Sequence, residues 1–103
     1  MYYFVITAVR YELNYKGNSV ISYVKVSKVN RVLESFEESI VWTKEDVIKA
    51  KENNITVKTA RKTNNNKLIV GAEVQIFKIY GIKYIRTDSN ETEADNLGEL
   101  EEF

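Results

Sequence analysis

Cysteine and histidine are both absent from the 103 residues, and each absence removes chemistry. Without thiolates there is no disulfide, no cysteine nucleophile, no iron-sulfur cluster and no cysteine zinc site, and nothing marks an oxidising compartment. Without imidazole the chain lacks the usual general base near neutral pH, the Ser-His-Asp and Cys-His arrangements, and the usual nitrogen ligand for transition metals. Long apolar runs are missing as well, so no membrane span is expected. The apolar opening Met1-Tyr2-Tyr3-Phe4-Val5-Ile6 is followed at once by Arg10 and Glu12 with no small-residue cleavage site. It does not read as a signal peptide. A cytoplasmic location is therefore expected, and the sequons at Asn54 and Asn90 are expected to stay unmodified. No phosphate loop or dinucleotide fingerprint is present, and the doublets Glu37-Glu38 and Glu45-Asp46 diverge in regular structure rather than converge on a substrate. The expectation is a protein that is not an enzyme, with no cofactor and no metal.

What is present is charge, unevenly placed. Fifteen Lys and Arg balance fifteen Asp and Glu to a net of zero. All fifteen bases lie in residues 1–87 beside eight acids, a net of +7, whereas residues 88–103 hold seven acids and no base, a net of −7. A chain of this length forms one domain able to bury roughly 65% of its unfolded surface. The expected organisation is a basic α+β body, residues 1–87, and an acidic C-terminal segment, residues 88–103, folded back on the sheet or mobile.

Residues 2–13 alternate with period two, Tyr3, Val5, Thr7, Val9, Tyr11 and Leu13 on one side and Tyr2, Phe4, Ile6, Ala8, Arg10 and Glu12 on the other, which predicts a strand. Lys16-Gly17-Asn18-Ser19 carries turn chemistry, and the β-branched run 20–29 completes an antiparallel hairpin. Residues 30–39 are polar, with Val32, Leu33 and Phe36 expected to dip inward. Thr43 fits a helix N-cap, with Glu45 and Asp46 in the first turn and Trp42 placed to staple against Val47, so a helix over about 43–53 is predicted, stopping at Asn53-Asn54. Residues 55–60 read as a third strand and 68–80 as the longest, with Gly71 marking a bulge or a close backbone approach. Tyr80-Gly81 reads as a two-residue hairpin loop that pairs Ile79 with Ile82, Phe77 with Tyr84, Gln75 with Arg86, Ile76 with Ile85 and Val74 with Thr87. The predicted fold is α+β: an antiparallel sheet of about five strands with one short helix on a face. One three-turn helix cannot cover both sides of such a sheet, so the second side must be covered by the tail, by Leu33 and Phe36, or by another chain.

Four stretches carry a family resemblance: Ile6-Thr7-Ala8-Val9-Arg10; Trp42-Thr43-Lys44-Glu45-Asp46-Val47-Ile48; the Gly71-Ala72-Glu73-Val74 strand; and Lys83-Tyr84-Ile85-Arg86-Thr87 followed by Asp95-Asn96-Leu97. With them the chain resembles a bacterial and phage family known as domain of unknown function 3892. The resemblance covers most of the chain and implies a compact stand-alone module, often phage- or mobile-element-encoded, with no activity to carry over. Relatives are expected to show histidine near the position of Tyr23, and a histidine-dependent role would be lost here.

Candidate residues fall into two sets. Arg86, Tyr84, Phe77, Asp88, Asp95 and Asn96 form a candidate partner-binding set. Arg86 needs acceptors in an apolar strand, with Glu73 on the diagonal of the predicted register. The structural reading of the same residues is that Arg86 and Asp95-Asn96 pin the tail on the sheet with Leu97 as an apolar plug. Lys25, Lys28, Arg31, Lys58, Arg61, Lys62, Lys67 and Tyr23 form a nucleic-acid set, in which bases stack on tyrosine while lysines track phosphate. Their other reading is solvated edge-strand lysines whose field the tail cancels. Asp88, Asn90, Thr92 and Glu99 fall on positions of a calcium loop, but Glu93 stands where glycine is required and a strand leads in, which argues against calcium. The expected function is a small non-catalytic binding module acting on a protein partner, possessing no membrane or metal partner. A nucleic-acid module regulated by the acidic tail and a self-associating structural protein are the alternatives.

Overall fold

The structure is a computed structural model describing residues 2–33, 35–65, 67–88 and 94–103. Two long strands, β1 (Tyr2–Leu13) and β2 (Ser19–Asn30), pair antiparallel as the central hairpin. Their register slips twice, at Thr7 on β1 and at Ser22 on β2. Each slip is a bulge, one extra residue that reverses which face the following side chains occupy. Phe4 and Ile6 therefore share the main core with Val9 and Tyr11 rather than with Ala8 and Arg10, which corrects the uninterrupted alternation expected for this strand.

β3 (Ser35–Phe36) and β4 (Ile40–Thr43) both pair with the outer edge of β2. Between β2 and β3 the Asn30 side-chain oxygen accepts from the Val32 and Leu33 N–H groups at 2.9 and 3.0 Å. That turn holds Val32 and Leu33 out in solvent instead of inward as expected. The helix α1 (Lys44–Glu52) starts where its cap chemistry places it. Asp46 N–H donates to Thr43 Oγ1, the Thr43 N–H donates to the Asp46 carboxylate, and Glu45 and Asp46 occupy the first turn. Asn53 ends it and Asn54 turns the chain with φ of 62°.

β5 (Val57–Lys62) runs parallel to β1, which makes the sheet mixed and not purely antiparallel. β6 (Leu68–Glu73) folds back antiparallel on β5. The long strand expected over 68–80 is divided at Val74: its N–H still reaches Val57 O at 2.8 Å, and beyond it β7 (Gln75–Ile79) leaves the main sheet to pair with β8 (Ile82–Arg86). The β7–β8 register matches the expected pairs from Gln75/Arg86 to Ile79/Ile82, around a turn with φ of 50° at Tyr80 and 80° at Gly81. Val74 and Thr87 are not paired; the Thr87 N–H donates to Asn96 O instead. The last strand, β9 (Glu101–Glu102), lies parallel to β1 opposite Ala8 and Val9. Among the described residues the main sheet has seven strands and the hairpin sheet two.

One side of the main sheet is closed by α1, the β7–β8 hairpin and Leu97, around Ile6, Val9, Val24, Val26, Val47 and Ile85. Full burial of each aliphatic side chain there is worth about 1.5–3 kcal/mol. On the opposite side, among the described residues, a smaller cluster of Val5, Val29 and Ala60 is flanked by half-buried Tyr3, Phe36 and Leu68.

Gly71 sits at a slip in the β5–β6 register, and a Cβ there would lie 2.7 Å from Thr59 Oγ1. Both readings of this glycine, bulge and close approach, hold together. Gly71→Ala is expected to cost about 1–3 kcal/mol by urea denaturation, and Thr59→Ala in the same chain to recover part of it; an unchanged midpoint would refute the steric account.

Candidate functional site: a cation-aromatic sheet face

The two bulges decide what the open side displays. After the slip at Thr7, Ala8 and Arg10 stand on the same side as Tyr3 and Val5, and their partners across the ladder are Lys25 and Tyr23. Cations and rings then interlock along this face. The Arg31 guanidinium lies 4.9 Å and the Lys58 ammonium 5.7 Å from the Tyr3 ring centre. Lys62 lies 5.7 Å from Phe36, while Arg10 lies 5.9 Å from Tyr23 and 4.8 Å from Phe103. Each such contact at an exposed site contributes about 0.5–1 kcal/mol.

Two hollows share the face. A groove of 720 Å³ runs between the β2–β3 turn and β6, floored by Tyr3, Val29, Phe36, Leu68 and Val70 and rimmed by Arg31 and Lys67. A second, of 320 Å³, is lined by Lys25, Arg61 and Lys62 together with Glu99 and Glu101. Of the nucleic-acid set, Lys25, Arg31, Lys58, Lys62, Lys67 and Tyr23 thus come together. Lys28 does not: it stands opposite Phe4, 4.2 Å from the Tyr2 ring. Arg61 borders the second hollow but pairs with Ile69, whose side chain lines the reverse side of β6. Sequence reasoning missed Arg10, Phe36 and Phe103. Their available signal was the aromatic and basic content of the whole chain, which has no periodicity once bulges intervene.

The expected partner-binding set lies elsewhere and mostly inward. Tyr84 is wholly buried with the Lys44 ammonium 5.0 Å from its ring centre. Arg86 is buried too: its Nε and Nη2 donate to the two Asp88 oxygens at 2.7 and 2.8 Å, and Nη1 donates to Ala94 O at 2.8 Å. Those Asp88 bonds, against the opposing effect of burial, raise the Arg86 pKa above its usual value. Glu73 is not its acceptor; the Glu73 carboxylate pairs with Lys51 at 2.6 Å, which lowers its pKa. Phe77 is half-buried in β7 and the Asn96 side chain accepts from Gly98 N–H. Of the calcium-loop positions, Asn90 and Thr92 fall outside the described residues, and Asp88 is engaged by Arg86.

Asp95 explains why these residues face inward. Its carboxylate accepts from the Ile21 and Ile85 N–H groups, each at 2.7 Å, and from Lys44 Nζ at 2.9 Å. One buried side chain thereby ties together β2, β8 and the start of α1. Beside it, Asn96 N–H donates to Ile85 O and Leu97 is buried in the main core. Leu97 N–H donates to the Tyr11 hydroxyl at 3.3 Å.

A strand-rich mixed α+β module with one open cation-aromatic face is the class of protein that this arrangement defines. The chain belongs to the family described as protein of unknown function (DUF3892), whose sequence model matches residues 5–101. No curated protein and no solved structure matches it. Among the described residues no helix is long and apolar enough to cross a membrane.

Two outcomes are expected. Asp95→Asn removes the charge that faces Lys44 and places an amide against N–H donors, so it should cost about 3–5 kcal/mol, and Arg86→Ala should also lower the melting temperature; thermal scans of both variants check this. Burial, then the negative charge of Asp95, raises the Tyr11 pKa above 10.0, outweighing the Leu97 N–H bond that lowers it. The unfolded chain loses that proton first, so the contribution is complete below pH 10 and declines as pH rises toward the folded value. Tyr11→Phe should therefore flatten the loss of stability measured above pH 10.

Proposed function

We propose that this protein is a small non-catalytic binding module that docks an extended acidic segment of a partner protein along its cation-aromatic face. The observation that carries the reading is chemical continuity. One end of the face already holds a stretch of acidic and aromatic polypeptide, with Glu99 and Glu101 against Lys25, Arg61 and Lys62. The other end, the groove at Tyr3, Phe36, Leu68 and Val70, offers the same mixture of cation and apolar floor. An acidic residue over Arg31 or Lys67 would contribute about 0.2–1 kcal/mol as an exposed pair, so the apolar floor supplies most of the affinity and the cations supply orientation.

A second reading, a single-stranded nucleic-acid module, is favoured by the gathering of five cations and Tyr23 from one basic set on one face. Base stacking at about 1–3 kcal/mol per base exceeds the cation-ring contacts it would displace, about 0.5–1 kcal/mol each. Against it, Glu99 and Glu101 place negative charge where a phosphate chain would continue. A third, self-association, rests on exposed Ile40 and Val41 on β4.

Fluorescence anisotropy separates them. A twelve-residue peptide alternating Glu with Leu or Phe is expected to bind, to weaken with salt, and to lose about tenfold or more (about 1.4 kcal/mol) on Arg31→Glu or Leu68→Asp. Binding of oligo-dT in place of the peptide would transfer the assignment to nucleic acid, a dimer by light scattering would transfer it to self-association, and no binding of either probe at low salt would end it.

A further inference from the structure

The end of the face occupied by residues 99–103 has the construction of a peptide site with a peptide in it. β9 adds to β1 as a parallel strand over two residues only, and Phe103 N–H donates to Val9 O at 3.0 Å. Arg10 Nε donates to the Phe103 backbone oxygen at 2.8 Å. The Phe103 ring has two cations close to it, Arg10 and Lys25, each 4.8 Å from its centre. Glu101, two residues earlier and on the same side of the strand, lines the hollow with Lys25, Arg61 and Lys62. Backbone pairing at a sheet edge, with pockets for alternate side chains, is the geometry by which domains add a strand from another chain.

We propose that the edge of β1 at residues 8–10 is an exchangeable strand slot for an acidic-x-aromatic segment of a partner protein, and that the chain's own residues 101–103 occupy it as a built-in competitor. The inference rests on the reading of the face as a polypeptide-docking surface, but it concerns a separate place on it. The ligand chemistry is read from the occupant: an acid for the Lys25, Arg61 and Lys62 hollow, any side chain next, then an aromatic ring close to Arg10 and Lys25. The occupant is weakly held for a strand. Its ladder is two residues long, and both Glu101 and Glu102 are exposed. Its advantage is tethering, which gives an effective concentration on the order of millimolar. A free peptide of equal intrinsic affinity therefore competes only when the tether's own contacts are weakened. Gly98, with φ of 81°, and exposed Glu99 follow the Leu97 plug, and half-buried Leu100 still packs against the main core, so the exchangeable part is residues 101–103, which can leave while Leu97 and Leu100 stay in place.

The test uses the full chain and a fluorescent peptide with the sequence of residues 98–103. Phe103→Ala, which empties the ring site while leaving the Asp95 and Leu97 anchors in place, is expected to bind the peptide at least about tenfold tighter than the unaltered protein does, by relief of tethered competition. Adding Arg10→Ala should abolish that gain, and a peptide with Ala in place of its terminal Phe should not bind. Leu68→Asp, in the other groove, should leave peptide binding unchanged, so failure here is distinguishable from failure of the groove reading. Equal binding by the unaltered and Phe103→Ala proteins, or none by either with circular dichroism unchanged, would overturn the slot. A dimer that forms by exchanging residues 101–103, detected by light scattering, would overturn the assignment of a partner protein in favour of a second copy. Should Phe103→Ala not fold, Glu101→Ala makes the same comparison from the acidic end of the segment.

Discussion

The buried carboxylate of Asp95 is the joint on which the three layers meet. Hydrogen bonds to a charged acceptor are roughly twice as strong as neutral ones, and here two of them come from backbone N–H groups of different sheets, Ile21 in β2 and Ile85 in β8. Lys44 balances the charge from the first turn of α1. Neither sheet nor helix contacts the other two through a longer run of backbone pairing, because the β7–β8 ladder stands apart from the main sheet. Hydrophobic packing around Ile85, Val47 and Leu97 supplies most of the stability, but it is non-directional. The carboxylate supplies direction.

With that side closed, the rest of the molecule follows from where the two β1–β2 bulges fall. Without them, Arg10 would sit with Phe4 and Ile6, and Val9 with Tyr3, placing a guanidinium in the core and an aliphatic on the open side. One extra residue on each strand exchanges those assignments. The surface outside the core is in consequence neither plainly apolar nor plainly basic. Rings lie under cations, so the rings are shielded from water and the cations are held in place.

Local features of this fold were legible. The Thr43 cap with Asp46, the Tyr80-Gly81 turn and its register, and the Gly71 anomaly depend on neighbours within a few residues, and the residue types at those positions state their own geometry. The parallel pairing of β5 and β9 with β1 was not, because nothing in a strand's composition names a partner fifty or more residues away. The break at Val74 was hidden for a related reason: an apolar residue continues an alternating pattern whether or not the chain changes sheet there. For the site, the charge map named Lys25, Lys58 and Lys62 by residue type, and composition could not place the rings that the fold sets beside them. Arg86 and Asp95 attracted notice as polar residues in apolar surroundings, and that same feature marks them as internal ties.

The parallel β1–β9 pairing also bears on how the molecule folds. Arg10 meets Phe103 across 93 positions of chain, so the strand at the centre of the sheet is among the last to be fully paired. Contacts so distant in sequence close late and slow the final step of folding. Until residues 101–103 dock, the edge of β1 at residues 8–10 stays bare beside Arg10 and Lys25, and the segment that closes it is a cover carried within the same chain.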